Sequence, residues 1–76
     1  MDKKRREKRF GSIAVEKGFI TVDQLIEGLE LQIKEEFEKG NHRPIGAILY
    51  FEGRLSIPQI DEVLALQGVT AHMRPM

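Results

Sequence analysis

Cysteine and tryptophan are absent from this chain of 76 residues, and its 12 basic side chains are balanced by 12 acidic ones. Without cysteine, neither a disulfide nor a thiolate metal site is available to stabilise the fold. No apolar run approaches the ~18 residues that a membrane-spanning helix needs, and no apolar signal-peptide stretch follows the charged start. We therefore expect one small cytoplasmic domain that is stabilised by packing and does not insert into membranes.

The charges are distributed unevenly along the chain. Residues 2–9 carry six basic and two acidic side chains, and residues 10–76 carry six basic and ten acidic ones. A basic segment on an acidic body can contact nucleic acid or anionic lipid, but a solvated terminus is the commoner case. We expect residues 1–8 to form a basic, flexible arm.

The sequence repeats itself at a constant offset of 35 residues, in two units. The matched positions share glycine, hydroxyl, amide or apolar character: Gly11 with Gly46, Ile13 with Ile48, Gly18 with Gly53, Ile20 with Leu55, Thr21 with Ser56, Gln24 with Gln59, Leu25 with Ile60, Leu29 with Leu64, and Gln32 with Gln67. A repeat of this length is typical of a supersecondary unit that buries its apolar face against a second copy.

Each unit has the pattern of two helices joined by a tight turn. Gly18 and Gly53 stand where the first helix of each unit should end, because glycine adopts the left-handed conformation of a helix C-terminus without steric cost. The second helices begin with the hydroxyl and glutamine pattern of a capping box: Thr21 with Gln24, and Ser56 with Gln59. The sequence thus predicts four helices.

The second helix of the first unit is predicted from about Val22 to Lys39, and its counterpart from Ile57 to Gln67. The apolar stripe of the longer helix is predicted at Leu25, Ile26, Leu29, Ile33 and Phe37. The fold class is all-α, with two repeated helix-turn-helix units packed about a pseudo-twofold axis. The repeats define a domain at residues 9–68, followed by an irregular tail at 69–76.

No enzyme motif is present, since the chain lacks a phosphate loop, a His-Glu-x-x-His pair and a nucleophile elbow. His42 and His72 are far apart in sequence, with no acidic partner spaced for a metal site. We expect no catalytic residue, no metal ligand and no required cofactor.

The glycines Gly11 and Gly46 require a close neighbour, because glycine within a helical turn costs ~1 kcal/mol relative to alanine. That neighbour is either another helix or a ligand on the backbone N–H groups. An arginine precedes each glycine and a glutamine closes each unit: Arg9 and Gln32 in the first, Arg43 and Gln67 in the second. These residues form a hypothetical two-part polar site.

The first unit resembles one copy of a tandem motif in the N-terminal domain of type II secretion and type IV pilus assembly ATPases. The usual motif is Arg-Leu-Gly, a short apolar stretch, Gly, two apolar residues, spaced leucines and a final Gln. The residues that match it here are Arg9, Gly11, Gly18, Phe19, Ile20, Leu25, Leu29 and Gln32. With the second unit included, the resemblance covers residues 9–67.

Some members of that family bind cyclic di-GMP through two consecutive copies of the motif. The resemblance implies ligand contacts at the matching positions: Arg9, Phe10, Gly11 and Gln32 in the first unit, and Ile45, Gly46 and Gln67 in the second. Pro44 stands at the second arginine position, and Arg43 is one residue early. Phe10 replaces the usual leucine, and the spacer between the units is longer than in the family.

Other family members use this domain to dock onto the cytoplasmic part of a secretion machine. The resemblance therefore implies a non-catalytic docking or regulatory domain whose partner is a secretion or pilus assembly component. The alternative is a cyclic di-GMP receptor. A third alternative, a DNA-binding helix-turn-helix protein, is disfavoured because the candidate recognition helices are acidic and would be repelled by phosphates.

Overall fold

Four helices make up the part of the chain that the computed structural model describes, which is the backbone of residues 2–68 and the side chains of residues 9–68. They are α1 (Asp2–Glu16), α2 (Val22–Lys39), α3 (Ile45–Phe51) and α4 (Ile57–Gln67). No strand occurs among residues 2–68. The all-α class is confirmed, whereas the predicted irregular tail at 69–76 lies outside the described residues.

Helix α1 begins earlier than the sequence indicated. Residues 1–8 were expected to form a flexible arm, but the backbone from Asp2 onward belongs to α1. Lysine, arginine and glutamate are strong helix formers, so this segment continues the helical turn that Phe10 and Ala14 anchor in the core. The backbone of the basic residues is therefore helical.

The turns within the two units have the same backbone geometry. Gly18 and Gly53 have φ values of 79° and 78°, in the left-handed region. The following N–H groups reach back five residues to the helix, from Phe19 to the Ala14 carbonyl at 3.0 Å and from Arg54 to the Leu49 carbonyl at 2.8 Å. These are the bonds of a Schellman motif, formed at equivalent positions of both units.

Both second helices begin with the predicted capping box. The Gln24 N–H donates to the Thr21 hydroxyl at 3.1 Å, and the Thr21 N–H donates to the Gln24 side-chain carbonyl at 3.0 Å. Ser56 and Gln59 make the same two bonds at 3.3 and 2.9 Å. Each pair satisfies two N–H groups that the first helical turn would otherwise leave without partners.

The helices of one unit pack mainly on those of the other. Helix α1 packs on α3 and α4, and α2 packs on α3. The buried apolar side chains come from both units: Phe10, Ala14, Ile20, Ile45, Ile48, Leu49, Leu55 and Val63. Exchange of the two units would map the α1–α4 contact onto the α3–α2 contact, so the arrangement is compatible with the predicted twofold axis.

Two ion pairs link the units in a similar way. Lys17, after α1, lies 3.0 Å from Glu62 of α4, and Arg54, after α3, lies 3.7 Å from Glu27 of α2. Glu27 and Glu62 are 35 residues apart and therefore occupy equivalent positions in the two units. Each pair is exposed and stabilises the fold only weakly.

The apolar stripe predicted for α2 is right for Leu25 and Leu29, which pack on the core, and wrong for its other three members. Ile26, Ile33 and Phe37 are 47%, 51% and 87% exposed, whereas Gly28 and Gln32 are buried. A Cβ at Gly28 would lie 3.1 Å from both Ile45 Cδ1 and Leu49 Cδ2. Helix α3 therefore packs on the face of α2 where glycine permits a close approach, and this turns the larger apolar side chains outward.

The central contact between the units is the ring of Phe10 on Gly46. Phe10 is 5% exposed, and a Cβ at Gly46 would lie 3.0 Å from its Cζ atom. A buried ring cannot bend away from an added methyl group as a flexible chain end can. The distance between α1 and α3 therefore depends on this glycine.

We predict that Thr21→Ala and Ser56→Ala each lower the free energy of unfolding by ~1 kcal/mol, because each removes a capping acceptor. The two losses should be similar, since the two caps have the same geometry. Urea denaturation measures both, and Thr21→Asp, which keeps an acceptor, serves as the control. A large loss at one cap with none at the other would contradict the equivalence of the units.

We also predict energetic coupling between Phe10 and Gly46. Gly46→Ala should destabilise the fold by ~1 kcal/mol, because overpacking costs ~1–3 kcal/mol and the gain in helix propensity returns only ~1 kcal/mol. In the Phe10→Leu background, which lacks the Cζ atom, the same substitution should be neutral or stabilising. Urea denaturation of the four proteins gives the coupling, and additive effects would contradict this contact.

Candidate functional site

The eight residues of the predicted ligand site lie in different environments. Five are buried: Phe10, Gly11, Gln32, Ile45 and Gly46. Arg43 and Gln67 are partly exposed, and Arg9 is exposed. Most of the predicted site therefore contributes to the interior of the domain.

Side chains of the protein itself fill the space next to both motif glycines. A Cβ at Gly11 would lie 2.5 Å from the Leu25 Cδ1 atom of α2, and Gly46 faces Phe10 of α1. The sequence left open whether a helix or a ligand approaches these glycines. In this structure the approach is made by neighbouring helices.

Gln32 has a structural partner in the segment before α3. Its side-chain Nε2 donates a hydrogen bond of 2.8 Å to the backbone carbonyl of Arg43. Gln32 is only 7% exposed, and a buried amide is costly unless it is hydrogen-bonded. The bond connects the middle of α2 to the α2–α3 connection and fixes the position of the Arg43 backbone.

The Arg43 side chain binds a carboxylate of its own chain. Its Nε and Nη2 atoms donate to the two carboxylate oxygens of Glu35 at 2.9 and 2.6 Å. The guanidinium also lies 5.7 Å from the centre of the Phe51 ring, within the range of a cation–π contact. A guanidinium binds carboxylate and phosphate groups through the same donors, and here they bind the Glu35 carboxylate.

This ion pair changes the proton affinity of both partners. The side-chain hydrogen bond from Arg43 lowers the pKa of Glu35, and the same bond raises the pKa of Arg43. A carboxylate with a lowered pKa stabilises the folded state above its ordinary titration range, and the stabilisation is lost as the pH falls through the lowered pKa. The pair is therefore intact at neutral pH.

A second contact, which the sequence did not predict, holds the same connection. The His42 ring Nδ1 contacts the carboxylate of Glu36. Six residues separate them across the end of α2, so no helical spacing indicates the pair. The only sequence signal was the longer spacer between the units, which places Glu35 and Glu36 one turn beyond Gln32. The part of α2 beyond Gln32, residues 33–39, is the α2 extension, and it therefore binds the connection that follows it.

Apolar side chains are exposed along the other side of α2. Val22, Ile26, Ile33 and Phe37 are 56%, 47%, 51% and 87% exposed, and we call them the α2 stripe. Exposed charged side chains lie beside this row, and we call them the stripe's rim: Asp23, Glu27, Glu30, Lys34 and Glu38. Four of these five are acidic, and one of the four, Glu27, lies 3.7 Å from Arg54, so the rim keeps a net negative charge beside the apolar surface.

Neither a candidate metal site nor a candidate membrane-spanning helix occurs among the described residues. Within that part of the chain, no three histidine, aspartate or glutamate side chains are grouped so that they could hold a metal ion. None of the four described helices has the length together with the apolarity that crossing a bilayer requires.

Comparison of the chain with protein-family models, with curated proteins and with solved structures gave no match. The functional interpretation therefore rests on the site geometry and on the motif resemblance of the sequence. The motif resemblance concerns the middle of α1, the start of α3 and the end of each repeat, whereas the exposed apolar side chains lie on α2.

Proposed function

We propose that this protein is a non-catalytic docking domain of the type found at the N-terminus of secretion and pilus assembly ATPases, and that it acts by binding a protein partner. The observation that carries the proposal is the α2 stripe. Its largest member, Phe37, is 87% exposed and makes no contribution to the core. Exposed apolar surface bordered by charge is typical of protein-binding sites.

The position of the stripe supports a role outside folding. Ile33 and Phe37 lie on the part of α2 beyond Gln32, where the first repeat ends. Residues there are not needed to complete the repeat, and two large apolar side chains in water reduce solubility. Their exposure is explained if a partner covers them.

A cyclic di-GMP receptor is the second candidate, and it is supported by the motif residues. It requires the site to open, because Phe10, Gly11 and Gly46 are packed between helices. It also requires Arg43 to exchange the Glu35 carboxylate for a phosphate. Both requirements cost free energy, whereas docking on α2 uses a surface that is already exposed.

DNA binding is the weakest of the three candidates. Helix α2 has six acidic and two basic side chains, so it would be repelled by a phosphate backbone. The basic charges are concentrated at residues 2–9 of α1, at one end of the sequence. A docking function is compatible with both features.

We predict that the tagged protein captures a secretion or pilus assembly component from a bacterium that contains these machines. Covalent cross-linking followed by mass spectrometry gives the measurement. The Ala14→Asp variant, which places a charge at a fully buried position, serves as an unfolded control. The docking proposal fails if no assembly component is enriched over this control.

We further predict that calorimetric titration of the wild-type protein with cyclic di-GMP gives no binding heat, because Arg43 is paired with Glu35 and the motif glycines are covered. The Glu35→Gln variant removes the competing charge but leaves the motif glycines covered, so it should also give no binding heat. Micromolar binding by the wild type that is lost in Arg9→Ala would replace docking with the receptor function.

A further inference from the structure

The α2 stripe has the dimensions of a helix-binding surface. Its members are separated by four, seven and four residues, which places them on one side of an α-helix. From Val22 to Phe37 the row is ~22 Å long at 1.5 Å per residue. A partner helix of about four turns would cover its whole length.

The second unit exposes Tyr50, Phe51, Ile57 and Leu66, but its helix α4 does not repeat the row of the α2 stripe, so the stripe does not follow from the repeated fold. Ile57 is equivalent to Val22 and is similarly exposed, at 52%. Asp61 is equivalent to Ile26, and α4 ends at Gln67, before a position equivalent to Ile33. The stripe is therefore a property of α2 and its extension alone.

The charge of the rim indicates the chemistry of the partner. Four acidic side chains and one lysine border the stripe, and all five residues are exposed. Arg43 neutralises Glu35, and Arg54 lies 3.7 Å from Glu27, so the net negative charge of the rim rests on Asp23, Glu30 and Glu38, with Lys34 opposing them. A partner with basic residues beside its apolar face would be attracted to the rim, and an acidic partner would be repelled.

We propose that the α2 stripe binds a basic amphipathic helix of the partner protein, with the partner's apolar side chains on the stripe and its lysine or arginine side chains at the rim. This inference rests on the proposed docking function and specifies its surface and ligand chemistry. The binding mode is that of a helix packed along an exposed apolar helix face, with anchors at helical spacing.

A second copy of this chain fits the surface less well. Two α2 helices packed together would bring two acidic rims into proximity. The basic segment 2–8 of another copy has the right charge but contains no apolar side chain to cover Ile33 or Phe37. The surface requires one helix that carries both basic and apolar side chains, and the proposed partner helix has both.

The test uses a fluorescent 18-residue peptide of leucine and lysine, with leucines at helical spacing so that they form one face. One control peptide has the same composition in an order that destroys this face. A second control replaces lysine with glutamate. The full-length protein should bind the first peptide, and binding should weaken as ionic strength rises because the rim interactions are screened.

Matched variants locate the binding surface. Ile33→Ser combined with Phe37→Ser should raise the Kd at least about tenfold, because both apolar anchors are lost. The control is Ile57→Ser combined with Leu66→Ser on α4, where each side chain is 52% exposed, and it should leave the Kd unchanged. Thermal unfolding of both double variants confirms that they fold.

Several outcomes would overturn the inference. Two of them are binding of the glutamate peptide with the same Kd as the lysine peptide, and an equal rise in Kd in the α4 variant. A third is a wild-type dimer in sedimentation that the stripe variant abolishes, because this result would assign the surface to a second copy. Capture of an assembly component by the stripe variant would also overturn it while the docking function stands. Peptide binding at the stripe without capture of any assembly component would instead overturn the docking function alone.

Discussion

The contact of Phe10 with Gly46 determines how closely α1 and α3 approach, and the remaining packing depends on that distance. A larger residue at either position would separate the two units and open the core around Ile45 and Leu49. The two exposed ion pairs between the units contribute little stabilisation by comparison. A chain this short has few core side chains, so the loss of one close contact removes a large part of its stability.

The sequence predicted the local structure of both units because the signals are local. Gly18 with its Schellman bonds and Thr21 with its capping box depend on residues within one turn of the helix. The bounds of α2 and α4 followed from the same signals and are confirmed. The start of α1 did not follow, because an unbroken run of helix-forming charged residues resembles a solvated arm when only its charge is considered.

The orientation of α2 could not be read from its apolar periodicity. The sequence offers two faces, one with Ile26, Ile33 and Phe37 and the other with Gly28 and Gln32. Hydrophobicity favours burial of the first face, but the helix that packs on α2 is short and needs a close approach. Tertiary packing buries the face with glycine. The buried amide of Gln32 on that face is satisfied by its hydrogen bond to the Arg43 carbonyl. The Arg43 contact with Glu35 depends on this orientation and could not be predicted before it was known.

The extension of α2 beyond Gln32 has two consequences that belong together. On one side of the helix, Glu35 and Glu36 hold the connection to α3 and occupy the guanidinium of Arg43. On the other side, Ile33 and Phe37 are exposed to solvent. Because adjacent residues point to different sides of a helix, the same two turns that pair Arg43 with a carboxylate also expose the apolar side chains. A longer α2 is therefore enough to add both features, with the core of the two units left as it is.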